Sequence, residues 1–482
     1  MRARAVLALL AFLPSCSTVN NVTEGVLGTN GPPQGQPGYI AGFLGGVVAD
    51  EPRAVLAGRE VLSSGGTAAD AAVAVGLTLA VTLPSRAGLG GGGACLAFSS
   101  GAKSINHGVP EAVMFTPIAA AQHGAGATAG SGPGGIDRPA AVPMMARGLF
   151  LLHARYGLRP LESLVSGAEQ LARFGVPVSR ALVKDLSLVS GPLLADPGAR
   201  AVFSHDGVPL IEGQTLQQPD LGSTLAQMRV AGVGDLYQGG LARRIAQGSV
   251  LAGGPITLDD LRAALPKLAA PLVRPYRIDK VAFLPPPADG GLAADAAFGV
   301  LAEDPNDLAT AGARALAVAA RWRAGGVTLQ AALAATDLPA AGLPALPAST
   351  TFATLDRSGN AVVCAVTMDN LFGTGRIIPG LGFLAAASPA AVPPPLLAAG
   401  MVWNDNLKAF RAEAGGSGQA GAPLAVAAAL INTLRTHRPM SVPVPDPGRA
   451  NVIACGRYLP GENSECGWAA DPREAGLAFG AN

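Results

Sequence analysis

The sequence predicts an α+β chain in which helices and strands alternate, and three stretches carry that expectation. Residues 349–368 read as a β-hairpin: hydroxyl and β-branched residues, a turn at Arg357-Ser358-Gly359-Asn360, then a second apolar run. Residues 52–64 and 67–83 read as two helices in succession, the first with apolar Val55, Leu56, Val61 and Leu62, the second nearly all apolar around Asp70. Residues 88–93 form a glycine run that opens into the strand-like residues 94–98.

In chain order, Arg2 and Arg4 precede an apolar run over residues 5–13 and read as a short secretory signal, too short to span a bilayer. Leu13-Pro14-Ser15-Cys16 resembles a bacterial lipobox, which would make Cys16 a lipidated first residue, although Pro14 is an unusual choice at its position. Ser17 in place of an aspartate points to the outer membrane; the alternative is a soluble exported protein that keeps a cysteine near its start. Residues 1–16 are thus expected to be a signal with a lipobox cysteine, and the Gly-, Asn- and Pro-rich residues 17–39 a flexible tether.

Composition narrows the partners. A chain of 482 residues with net charge +1 and 14% charged residues has no electrostatic footprint for nucleic acid, so small molecules are the expected partners, and membrane contact is expected only through the lipid anchor. Five scattered cysteines without a Cys-x-x-Cys, and five histidines without paired spacing, imply neither metal nor cofactor. Cys455 and Cys466 are placed to form a disulfide in an oxidising compartment, whereas Cys95 and Cys364 read as buried thiols in apolar strands.

The domain is expected to open with a short strand over residues 45–49 ahead of the two helices. The run Gly88-Leu89-Gly90-Gly91-Gly92-Gly93 satisfies the dinucleotide fingerprint Gly-x-Gly-x-x-Gly, but in the wrong context. That motif needs a strand before it and a helix after it, so that phosphate meets the helix N-terminus; here a helix precedes and a strand follows.

The hairpin carries the chemistry. An Ala/Pro/Gly-rich stretch, residues 338–348, ends abruptly at Ser349. Scission between Ala348 and Ser349 would give Ser349 a free α-amino group, whose ordinary pKa of roughly 7.7–8.0 suits a general base beside its own hydroxyl. Uncut, the same nitrogen is an amide, and the segment is an ordinary hairpin after a linker.

From Ser349 to Gly382 the chain resembles the start of the small subunit of gamma-glutamyltranspeptidases. Ser349 falls on the family's catalytic Thr, Thr350 on its second Thr, Thr351 on its His and Phe352 on its aromatic. Gly359-Asn360-Ala361-Val362, Thr367 and Phe372-Gly373-Thr374-Gly375 also coincide. Thr350 would be the nucleophile only if a residue had been deleted nearby. Residues 65–74 and 84–93 resemble the family's glycine-rich segment, and Val142-Pro143, Tyr156-Gly157, Gln218-Pro219-Asp220-Leu221, Tyr237-Gln238-Gly239 and residues 285–291 follow in family order. The resemblance spans roughly residues 40–435. It implies a four-layer αββα sandwich, the N-terminal-nucleophile hydrolase fold, with residues 40–348 as a large-subunit-like segment and 349–482 as a small-subunit-like one, loop-rich from about 438. It further implies a two-fragment heterodimer after self-cleavage and acyl transfer from gamma-glutamyl amides. Catalytic residues by this likeness are Ser349, Thr367, which orients the nucleophile, and Gly415 and Gly416, whose N–H groups hold the oxyanion or lie in a flexible loop before a helix at 424–434. Asp369 stands on a substrate-binding Asn.

Departures concentrate in substrate recognition. Ile105-Asn106-His107-Gly108-Val109-Pro110 lacks the family's carboxylate-binding arginine; Arg86, close by in sequence, is either its substitute or, the stronger reading, a solvated loop residue. Ala386-Ala387-Ser388-Pro389-Ala390-Ala391 replaces the segment that supplies an acid for the substrate amine, and Ala398-Ala399 stands near the family's Ser-Ser. A dry site with an unpaired ammonium costs several kcal/mol, on the order of the penalty for any unpaired buried charge. Two other readings therefore accompany the gamma-glutamyl one: an unprocessed, envelope-anchored binding or scaffold protein, and a serine acylase for a different amide. The segment between residues 304 and 348 is shorter than the family's.

Overall fold

The computed structural model describes residues 44–123, 138–336, 348–461 and 465–481. The expected signal and tether, Cys16 among them, and residues 338–347 lie outside the described residues.

Two antiparallel sheets organise the chain. The first contains β1 (Gly45–Ala49), β2 (Gly92–Phe98), β3 (Glu111–Phe115), β4 (Lys267–Ala269), β7 (Ser349–Asp356), β8 (Ala361–Thr367) and β13 (Leu477–Ala481), in the order β4-β3-β2-β8-β7-β1-β13. The second contains β5 (Leu272–Tyr276), β6 (Asp279–Phe283), β9 (Ala398–Asn404), β10 (Ala409–Ser417), β11 (Arg449–Leu459) and β12 (Cys466–Ala469), in chain order across the sheet. The predicted hairpin is β7 and β8, joined by the predicted turn.

Every residue of β7, β8, β9 and β10 is buried, so these strands are sealed on both faces and their period-2 alternation sorts side chains between two apolar layers. Phe352, Val362, Cys364 and Val366 point to the helices outside the first sheet. Ala353, Leu355, Val363 and Ala365 point to the space between the sheets, where they meet Met401, Phe410 and Ile453.

Helices cover both outer faces. On the first sheet lie α1 (Pro52–Ser63), α2 (Ala68–Thr82), α3 (Met145–Tyr156) and α4 (Leu161–Phe174). α1 begins where Glu51 accepts from the Ala54 N–H at 2.9 Å, and α2 begins with a Thr67/Asp70 capping box. All fifteen residues of α2 are buried, as expected of a helix apolar all round. On the second sheet lie α5 (Gly290–Glu303), α6 (Leu308–Arg323) and α7 (Ala422–Thr436), the last a turn longer than the predicted 424–434. Helix, sheet, sheet, helix is the four-layer αββα sandwich.

The tail after residue 438, besides its loops, supplies β11, β12 and β13 to the two sheets. One expectation is corrected here. Cys95 and Cys364 are not thiols: they sit directly opposite one another on β2 and β8 and are joined in a disulfide. Each cysteine looks like a small buried apolar residue along its own strand; only the register, which no single strand encodes, brings the two sulfurs together. Cys455 and Cys466 are also joined, across β11 and β12. Among the described residues no helix is long and apolar enough to cross a membrane.

Candidate functional site

One rim of the first sheet assembles the expected machinery. Ser349, the first residue of β7, pairs with Thr367, the last of β8, which pairs in turn with Gly92, the first of β2. The glycine run is needed here for close backbone approach: a Cβ on Gly91 would lie 2.2 Å from the Thr367 carbonyl oxygen, and one on Gly92 2.2 Å from that of Phe115.

Around the Ala348–Ser349 peptide the hydrogen bonds converge on a single carbonyl. The Ala348 oxygen accepts from Thr367 Oγ1 at 2.8 Å and from the Met368 N–H at 3.4 Å. Thr367 Oγ1 itself accepts from the Asp369 N–H at 2.7 Å, which turns its proton towards Ala348. Ser349 is fully buried and, among the described residues, its Oγ has no hydrogen-bond partner. A buried polar atom left unsatisfied costs about 1–3 kcal/mol.

The next residue is held instead. Thr350 Oγ1 donates to Asp50 Oδ2 at 2.7 Å, and that same oxygen accepts from the Thr351 N–H at 3.3 Å. Asp50 Oδ1 accepts from Asn451 Nδ2 at 2.8 Å, and Asn451 Nδ2 also reaches the Thr351 carbonyl oxygen and Oγ1, each at 3.1 Å. Asp50 and Asn451 thus clamp the start of β7, and sequence reasoning missed both. Asp50 follows β1, whose Ala49 pairs with Phe352, so the missing signal was the register.

Asp369, two residues beyond Thr367, has a left-handed backbone at φ +59° and is 1% exposed. It lines a cavity of about 290 Å³ with Thr116, Pro117, Pro389, Pro394 and Leu397. Among the described residues neither carboxylate oxygen has a hydrogen-bond partner. Burial pushes this carboxyl well above the usual carboxylate range, and the positive charge of Arg323 offsets part of that rise. Arg323 is bound to Asp289, at 2.5 and 2.8 Å, and to the Pro394 carbonyl at 2.9 Å.

Gly415 and Gly416 do not form a loop before a helix. Both are interior residues of β10, paired with β9 on one side and β11 on the other, so their N–H groups lie in the plane of the ladder rather than in the gap between the sheets. A Cβ on Gly415 would meet the Thr351 Cβ at 2.8 Å, and one on Gly416 would meet the Ala422 carbonyl oxygen at 2.3 Å. The turn that leads into α7 is Gly418 to Gly421.

Arg86 is not a solvated loop residue. It is 1% exposed, with Nε and Nη2 donating to the two oxygens of Asp185 at 2.8 and 2.7 Å. Burial works against its charge, and the Asp185 carboxylate more than offsets this and holds the guanidinium above its ordinary range. Ala386 and Ala387 are buried beside the loop at 368–375, the Ala387 N–H donating to the Met368 carbonyl at 3.1 Å. Ala398 and Ala399 pair with Gly416 and Gly415. Apolar side chains therefore stand at the positions where the family likeness leads one to expect substrate contacts.

Comparison with known proteins extends the geometry. Residues 54–316 match the family model described as gamma-glutamyltranspeptidase, a match that ends before the hairpin. The chain is 34% identical over 260 residues to the glutathione hydrolase proenzyme of Escherichia coli (strain K12), covering 52% of this chain and 43% of that protein. It is 33% identical over 274 residues to glutathione hydrolase 3 of Arabidopsis thaliana, covering 56% and 42%. These alignments span less than half the length of either relative. Among solved structures, a cephalosporin acylase from Bacillus halodurans superposes with a TM-score of 0.73 over 93% of this chain and 98% of its own, at 19% identity, a likeness of fold. The Helicobacter pylori gamma-glutamyltranspeptidase superposes with a TM-score of 0.52 at 25% identity, over 63% of this chain and 89% of its own.

Proposed function

The chain belongs to the gamma-glutamyltranspeptidase family, and on that premise we propose that it is a self-processed acyl-transfer enzyme whose nucleophile is the N-terminal Ser349. One observation carries the reading: the Ser349 hydroxyl, unpartnered among the described residues, follows a peptide carbonyl that Thr367 Oγ1 already engages at 2.8 Å. Donation from Thr367 draws electrons from the Ala348 carbonyl carbon. Ser349 Oγ attacks that carbon, its proton passes to the Ser349 nitrogen, and the C–N bond breaks to leave an ester. Water then hydrolyses the ester, freeing the Ala348 carboxylate and the Ser349 amine.

In the cut protein the amine takes the hydroxyl proton as Ser349 attacks a substrate amide, and returns it to the departing amine. Water resolves the acyl-enzyme, so hydrolysis is the main outcome. A gamma-glutamyl amide is the first substrate class to examine. Buried alanines at residues 386, 387, 398 and 399 favour a second reading, an acylase for an amide whose acyl group carries fewer charges.

Intact-mass measurement of the purified protein is expected to give fragments meeting at Ala348/Ser349, and chromogenic amine release from a gamma-glutamyl anilide separates the two substrate readings. A single uncut chain under all conditions would overturn the proposal. We further infer export and lipid anchoring through Cys16; Cys16→Ser is expected to abolish incorporation of labelled fatty acid, and unchanged labelling would exclude it.

A further inference from the structure

We propose that the Cys95–Cys364 disulfide is an interchain bond in the mature protein, tying together the two fragments that scission at Ala348/Ser349 releases. The proposal rests on the self-cleavage reading above. Cys95 lies in β2, before the cut, and Cys364 in β8, after it. Cys455 and Cys466 both lie after the cut, so their bond closes a hairpin inside one fragment and links nothing across it.

The position of the bond matters. In the first sheet β4, β3, β2 and β1 come from before the cut, while β8, β7 and β13 come from after it. The disulfide spans the boundary between β2 and β8, three residues along the ladder from the Thr367–Gly92 pair that builds the candidate site. The two fragments contribute to both sheets, so neither can bury its strands alone. A covalent link across that boundary converts re-pairing of the fragments from a bimolecular encounter into an intramolecular one, at effective concentrations on the order of millimolar. Its formation removes two electrons and two protons from the cysteine pair, taken up by a disulfide-type oxidant through thiol–disulfide exchange.

Denaturing electrophoresis of the mature protein with and without reductant tests the bond. Without reductant, one band of full mass is expected; with reductant, two fragments. Cys364→Ser should give two bands in both lanes, while Cys16→Ser and Cys455→Ser should behave as the parent does. Two bands from the parent without reductant would overturn the proposal. A site-specific protease sequence placed within residues 337–347 of Ser349→Ala supplies the cut when self-cleavage does not, so failure of the bond and failure of Ser349 are distinguishable. That cleaved variant must also run as one band without reductant, and two bands there count equally against the bond. If Cys364→Ser does not fold, the parent protein provides a second readout. After denaturation, refolded yield should be independent of dilution for the oxidised two-chain protein and fall with dilution once it has been reduced. The same dilution dependence in both states would sink the idea.

Discussion

Ser349 and Thr350 are neighbouring hydroxyls on one strand, both fully buried, and their bonding is opposite. Thr350 is fastened to Asp50, which Asn451 holds in turn; the hydroxyl of Ser349, pointing to the other face of the sheet, has no hydrogen-bond partner among the described residues. The strand supplies one hydroxyl as an anchor and leaves the next unengaged beside the carbonyl that Thr367 holds. Fixing Thr350 and Thr351 leaves β7 little freedom to move Ser349 away from that carbonyl, so the anchor serves its neighbour.

The largest effect that separates the two is expected from Ser349→Ala. Self-cleavage and amide turnover should both vanish, with the fold kept, as judged by intact mass and circular dichroism. Cleavage that persists in this variant would move the nucleophile elsewhere, Thr350 being the next candidate. Thr367→Ala removes the donor to the Ala348 carbonyl, and cleavage should slow by about 10²–10³, the usual consequence of losing one such donor. Thr367→Ser should recover most of the rate, which a purely structural role for the β-branched side chain would not allow. Thr350→Val is the converse experiment. It strips one bond from Asp50 and should cost about 1–3 kcal/mol in denaturant unfolding while cleavage continues. Equal loss of cleavage in Thr350→Val and Ser349→Ala would erase the distinction between them.

How far this site could be read from the chain alone depends on what kind of information each part needs. The hairpin, the strand at 45–49 and helices α1 and α2 were legible because local patterning fixes them: β-branched runs, a Ser-Gly-Asn turn, an apolar run around Asp70. The αββα layering came from family likeness, because alternating helices and strands do not specify which sheet faces which. The residues that escaped all depend on register or tertiary pairing. Asp50 clamps β7 only because β1 lies beside it, and Asn451 reaches Thr351 from the second sheet. Cys95 meets Cys364 across a ladder of 269-residue separation, and Arg86 finds Asp185 ninety-nine residues away. Gly415 and Gly416 failed for a different reason. A Gly-Gly pair ahead of an alanine-rich helix reads as a loop, and burial against Thr351 and α7 makes it strand instead.

An unbonded hydroxyl points to function only if the fold does not tolerate orphaned polar groups cheaply elsewhere, and Glu413 measures that. It lies on β10 between Met401 and Ile453, fully buried, with neither oxygen hydrogen-bonded among the described residues. Burial alone pushes its carboxyl well above the usual range. The folded protein therefore keeps this proton to higher pH than the unfolded chain does. Stability from this group is full below the ordinary carboxylate pKa and is lost as pH rises towards the folded value. Glu413→Met, close in volume and apolar, should raise unfolding stability near pH 8 by about 1–3 kcal/mol, with a smaller gain near pH 5. Urea melts at the two pH values check this; Asp369, also raised, should leave a residual slope in the variant. If Glu413→Met instead destabilises at both, unpartnered buried polar groups in this fold are supported by contacts that hydrogen-bond geometry does not capture, and the isolation of Ser349 loses its force as a sign of chemistry.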